Sequence, residues 1–217
     1  MKINFKLKEV KKNIFLLEFN NNYDMCMMFL RYQEFYESSS SKFRNKPFKI
    51  LDFMKWYSVK YGKGIFTYPE DWDGFNFPDY VIKDVVSKII PDHNEYDEKM
   101  FEVYEACRNK SGGKFYIIGI VKKSDALKHE IAHAFFYLYP EFKKEMTKLV
   151  KDLDPKIKKH VNMILKRAGY TYKVYVDETQ AYMATGLADS FVYPKDMWVE
   201  ERKPFEKLFN KFYKKIK

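Results

Sequence analysis

The sequence predicts an α+β fold, and three observations carry that expectation. The stretches "INFKLKEV" and "NIFLLEF" read as strands, the first of them alternating apolar and polar residues. The run "KFYIIGIV" (114–121) is rich in β-branched and aromatic residues and is bounded by the turn "NKSGG", which makes it a third strand. Most of the remaining chain places apolar residues at helical spacing. With 217 residues, 46% of them hydrophobic and 19% aromatic, the chain is long enough to bury one sizeable core. One domain (1–217) is expected, with an N-terminal α/β lobe over about 1–139 and a helical C-terminal lobe over about 140–217.

After the opening strands, "YDMCMMFLRYQEFYES" reads as a helix and "SSSSKFRNKP" as a polar connector. A second helix, "FKILDFMKWYSVKY", stops at Gly62 and Gly64. The segment "IFTYPEDWDGFNFPDY", dense in aromatics, prolines and acids, reads as an ordered loop; two amphipathic helices, "YVIKDVVSKII" and "EYDEKMFEVYEACR", precede the third strand. In "SDALKHEIAHAFFYLYP", Ser124 suits a helix cap, Asp125 a first turn where negative charge matches the dipole, and Pro140 closes the pattern. Two lysine-rich helices follow, then a short strand "YKVYV", a small-residue helix "DETQAYMATGLA", and a C-terminal helix from about 203 to 216. Phe205, Leu208, Phe209, Phe212 and Ile216 share one face of that last helix, a pattern that favours docking on the protein body over binding an anionic membrane.

Composition narrows the function classes. The formal charge is +10, but only five of the basic residues are arginines (Arg31, Arg44, Arg108, Arg167, Arg202) against 35 lysines. Arginine is the preferred residue for bidentate phosphate and base contacts, so this excess speaks against nucleic-acid binding as the main role. Cys26 and Cys107 form no Cys-x-x-Cys pair, which excludes a disulfide framework or an all-thiolate finger and suits a reducing, cytoplasmic setting. No secretory signal is expected at the basic start, and the longest apolar runs fall far short of the ~20 residues that span a membrane.

The segment "KHEIAHAFFY" (128–137) puts His129 and His133 one helical turn apart on one face, where both imidazoles can reach one cation. Zinc accepts neutral imidazole nitrogens in that geometry, and Glu130 can reach a water on the metal. A third ligand separates this reading from a helix that merely contains two histidines. The segment resembles the zinc-binding helix of zincin metallopeptidases. Phe136 and Tyr139 stand where the metzincin extension needs glycine and histidine, so that branch is excluded. Gluzincin-like enzymes bring a glutamate from a later helix, and "VDETQAYMATG" offers Asp177 and Glu178. Asp177 precedes Gln180 by three residues, as in a capping box, which leaves Glu178 as the expected ligand and Asp177 as the second candidate. The spacing Glu178-x-x-Ala181 resembles the third-ligand helix of several gluzincin-like families, including phage and bacterial proteases that cleave repressors.

The resemblance implies a zincin-like metallopeptidase with one Zn2+ per chain held by His129, His133 and Glu178, and Glu130 as general base for an activated water. Tyr182, and after it His160, are the candidates to stabilise the oxyanion. Asp125 could orient His129, although stabilisation of the helix dipole is its simpler role. In zincins the strand before the active helix commonly forms a sheet edge that binds the substrate as an added strand, which implies an extended peptide or protein substrate at "KFYIIGIV". The stretches "RYQEFYESSSSKFRNKPF" and "FTYPEDWDGFNFP" resemble uncharacterised bacteriophage or virus-encoded proteins, which would place the chain in a host cytoplasm or a virion. The rival reading is a non-catalytic zincin-like protein serving as an interaction or virion-associated component.

Overall fold

The computed structural model describes residues 3–186 and 196–217, with the side chains of 196 and 197 left aside. The chain is of mixed α+β build and divides into two compact units, Met1–Leu127 and Lys128–Lys217. Among the described residues no helix is long and apolar enough to cross a membrane.

In the first unit, β1 (Phe5–Lys11) and β2 (Ile14–Phe19) form an antiparallel hairpin that turns at Asn13, whose φ is +62°. Helices α1 (Asn22–Glu37), α2 (Ile50–Lys60) and α3 (Tyr68–Asp71) lead to β3 (Gly74–Pro78). Then come α4 (Tyr80–Val86), α5 (Glu95–Ser111) and β4 (Tyr116–Val121). The sheet order is β1-β2-β4-β3, with β4 parallel to β2 and antiparallel to β3. α1 lies on this sheet with Phe29 among Phe19, Phe75 and Phe77, at ring separations of 6.2, 5.9 and 5.2 Å. Gly119 of β4 permits that approach, since a Cβ there would stand 2.5 Å from the Phe29 ring. The α5 helix is tied to α1 by a buried ion pair, Arg31 Nε to Asp97 Oδ1 at 2.9 Å, and Asp97 also completes a capping box with Asn94.

The second unit begins in the first turn of α6 (Leu127–Leu138) and continues with α7 (Pro140–Asp152), α8 (Pro155–Arg167), a 3₁₀ turn (Tyr172–Val174), α9 (Tyr175–Thr185) and α10 (Asp196–Lys215). α7 buries Phe142, Met146 and Val150 and α8 buries Ile157, Val161, Ile164 and Leu165, so their lysines form solvated faces. Phe205, Leu208, Phe209 and Phe212 of α10 are buried as docking requires. Phe135 meets Phe142 at 5.6 Å and Phe209 at 5.8 Å, and Phe142 meets Phe212 at 5.1 Å.

The structure corrects four expectations. The strand "KFYIIGIV" is not a sheet edge: β4 has β2 on one side and β3 on the other. An unbroken apolar run marks a strand covered on both faces, and such strands occupy sheet interiors. The 65–80 segment is not simply a loop, because it carries α3 and β3; only five residues pair, and the flanking Gly74 and Pro78 disguise them. "YKVYV" forms no strand. Lacking a partner, its residues enter the 3₁₀ turn, with Thr171 accepting from Lys173 N, and the start of α9. The C-terminal helix starts at Asp196 rather than near 203 and runs through Pro204, where burial of Trp198, Phe205, Leu208 and Phe209 outweighs the one missing amide donor. Leu187 and Ala188, the predicted end of the small-residue helix, lie outside the described residues, and α9 ends at Thr185.

Candidate metal centre

The two histidines come from adjacent turns of α6, as their spacing dictates, and their Nε2 atoms stand 3.1 Å apart. Glu178, in the first turn of α9, brings Oε2 within 3.8 Å of His129 Nε2 and Oε1 within 3.8 Å of His133 Nε2. Among the described residues, His129, His133 and Glu178 form the group of metal-ligating side chains whose donor atoms converge, all within 4.8 Å of one another. Tetrahedral zinc with bonds of ~2.0–2.1 Å separates neighbouring ligand atoms by roughly 3.3 Å, so this spacing suits such an ion after small side-chain movements.

Glu178 is 4% exposed, and its Oε2 is buried without a hydrogen bond among the described residues. A carboxylate oxygen in that state is expensive to bury unless a cation or a proton satisfies it. Burial, assisted by Asp177 and Glu130 and opposed by His133, pushes the Glu178 carboxyl up to about 8. For His133, burial works against the charged form, yet Asp177 and Glu178 hold it well above the usual histidine range. Burial and the neighbouring His133 push His129 well below that range. The metal-free site therefore retains protons that a free carboxylate and a free imidazole would shed, and these are the protons a divalent cation displaces.

The surrounding residues depart from expectation in an instructive way. Asp177 does not cap a helix, because α9 begins two residues earlier at Tyr175. Its Oδ1 lies 2.9 Å from His133 Nδ1 and accepts from Gln180 Nε2 at 3.0 Å. Asp125 falls in the turn before α6, which begins at Leu127, so it is not a first-turn acid. Ser124 does not cap α6 either; its hydroxyl accepts from Ala126 N within that turn. The partner of His129 Nδ1 is Thr185 Oγ1, at 3.5 Å. Sequence reasoning missed Thr185. The spacing Glu178, Ala181, Tyr182, Thr185 is a helical stripe that would have found it.

Glu130 is 5% exposed and near enough to His133 and Glu178 to influence the titration of both. The Tyr182 ring packs on His129, centroids 4.5 Å apart. His160 is occupied elsewhere, its ring 5.7 Å from that of Trp198, and exposed His93 stacks on Phe101. The chain matches no protein-family model, no curated protein and no solved structure.

Proposed function

We propose that the chain is a zinc-dependent metallopeptidase of zincin-like build, with His129, His133 and Glu178 holding one Zn2+ and Glu130 as general base. The observation that supports this most is the buried Glu178 oxygen without a hydrogen bond, beside two converging imidazole nitrogens. Zinc held by three protein groups would supply Lewis acidity and bring the pKa of a water towards ~7. Glu130 takes the proton of the attacking water and delivers it to the leaving amine, and its burial close to His133 and Glu178 suits that task. Tyr182, packed on His129, is the candidate donor to the developing oxyanion. The substrate class is a peptide or protein in extended form. Two buried free thiols, Cys26 and Cys107, support an intracellular setting.

The test is metal content per chain by mass spectrometry, on protein purified without added metal, together with hydrolysis of an unfolded protein such as casein. Near-stoichiometric zinc is expected in the wild type and in Glu130→Gln, and a clear loss in Glu178→Ala; hydrolysis is expected in the wild type alone. Full hydrolysis by Glu130→Gln would remove that residue as the base. Zinc without hydrolysis would leave a non-catalytic interaction or virion-associated protein, and a wild type that takes up no offered zinc would end the metal-centre reading.

A further inference from the structure

The two histidines of the site are held unequally. His133, with a side chain 4% exposed, faces Asp177 Oδ1 through Nδ1 at 2.9 Å. The same oxygen accepts from Gln180 Nε2 at 3.0 Å, and that amide also donates to Ala132 O at 3.3 Å, one residue before His133. Imidazole, carboxylate, amide and α6 backbone thus form a closed ring of contacts around a fully buried Gln180. An imidazole anchored through Nδ1–H to a carboxylate has its Nε2 fixed towards the site and made more basic towards a metal. Among the described residues His129 has no such carboxylate anchor. Its Nδ1 lies 3.5 Å from the Thr185 hydroxyl, whose own proton goes to Ala181 O at 2.8 Å. A neutral acceptor at that distance orients a ring weakly. The His129 side chain is also the more exposed, at 19%.

We infer that Asp177, anchored by Gln180, is the positioning residue of this centre, making His133 and Glu178 its permanent edge and His129 the ligand that lets go when metal exchanges. The inference rests on the metal-centre reading above and adds an order to its ligands. Asp177 touches neither substrate nor metal in this role; it acts through His133.

The experiment compares zinc dissociation constants, measured by chelator competition, for the full-length wild type, Asp177→Ala, Asp177→Asn, Thr185→Val, His129→Ala and His133→Ala. Histidine-ring ¹H–¹⁵N spectra of the zinc-loaded forms are recorded alongside. Asp177→Ala is expected to weaken zinc binding by about 10–100-fold, and Asp177→Asn, which keeps an acceptor for Nδ1–H but not the charge, by less. Thr185→Val should change it by no more than about threefold. His129→Ala should retain a weak zinc site tighter than that of His133→Ala. In the spectra, the protonated Nδ1 signal of His133 is expected to shift or broaden in Asp177→Ala while the His129 signals stay in place, a change that loss of fold stability alone would not produce. Wild-type zinc affinity in both Asp177 variants, or a Thr185→Val defect larger than that of Asp177→Ala, would overturn the inference and leave the metal centre standing. Tighter zinc binding by His133→Ala than by His129→Ala would overturn it equally. A wild type without zinc affinity would sink the centre itself. If Asp177→Ala fails to fold, Asp177→Asn and the histidine pair decide the matter.

Discussion

His129 Nε2 and His133 Nε2 stand 3.1 Å apart, a separation at which one nitrogen must carry a proton for the other to accept. Protons held at this site give the metal-free protein a characteristic pH dependence. Glu178 and His133 are both raised above their unfolded values, so each contributes stability that is complete below the unfolded pKa and is lost as pH rises through the folded one. His129 is depressed, and its contribution is constant above the ordinary histidine value of 6.5. Between about pH 6.5 and 8 the two raised groups act in the same direction. The melting temperature of chelator-treated protein should therefore fall over this window, whereas that of zinc-loaded protein should not. Thermal melts followed by circular dichroism check this, and Glu178→Gln should flatten part of the metal-free slope.

Tyr182→Phe keeps the ring that packs 4.5 Å from His129 and removes only the hydroxyl. If that hydroxyl stabilises the oxyanion, kcat should fall by about 10²–10³-fold with zinc content unchanged. An unaltered rate would assign Tyr182 to packing.

Arg31 and Asp97 form an ion pair in which both side chains are 3% exposed, with further Arg31 contacts to Asp92 Oδ1 at 2.8 Å and Phe48 O at 2.6 Å. Removing Asp97 leaves the buried guanidinium with the partly exposed Asp92 as its remaining carboxylate partner and also takes away the N3 side chain of the Asn94 capping box. Asp97→Ala should lower the stability of the first unit by about 3–5 kcal/mol, read from urea denaturation. A loss below about 1 kcal/mol, the range of an exposed pair, would show that the pair is solvated in solution.

Gly119→Ala places a methyl group 2.5 Å from Phe29 Cε2. Overpacking of this kind should destabilise by about 1–3 kcal/mol, and Phe29→Leu in the same chain should recover part of the loss.

Both cysteines are fully buried, and burial pushes the Cys107 thiol up to about 12 and raises Cys26 as well. A thiol-specific reagent at neutral pH should modify neither at an appreciable rate until denaturant is added. Rapid labelling of the native protein would show that these helices open readily.

Much of this was legible along the chain because the signals are local. The helix period places His129 and His133 on one face, and the apolar stripe of Phe205, Leu208, Phe209 and Phe212 marks a docked helix whatever it docks against. The role of Asp177 is not legible in the sequence, because a short acid near a helix start is equally suited to capping its backbone and to pairing with a distant imidazole. β3 is hidden in the sequence for a related reason. A five-residue strand ending in proline is stabilised by its pairing with β4 rather than by its own composition.

By itself the sequence determined the helical face that carries the two histidines, the α+β class and the amphipathic helices, since each follows from side-chain period and backbone propensity within one segment. Tertiary structure decided the rest. β4 lies between β2 and β3 because hydrogen-bond pairing is made between distant segments, and its apolar run is compatible with any position that covers both faces. Glu178 meets the histidines, Asp177 holds His133 and Thr185 lies beside His129, because α9 packs with its acidic first turn beside α6. That placement is set by the burial of Ala181, Met183 and Ala184 in the helical core, a long-range energy to which no single stretch of the chain gives access.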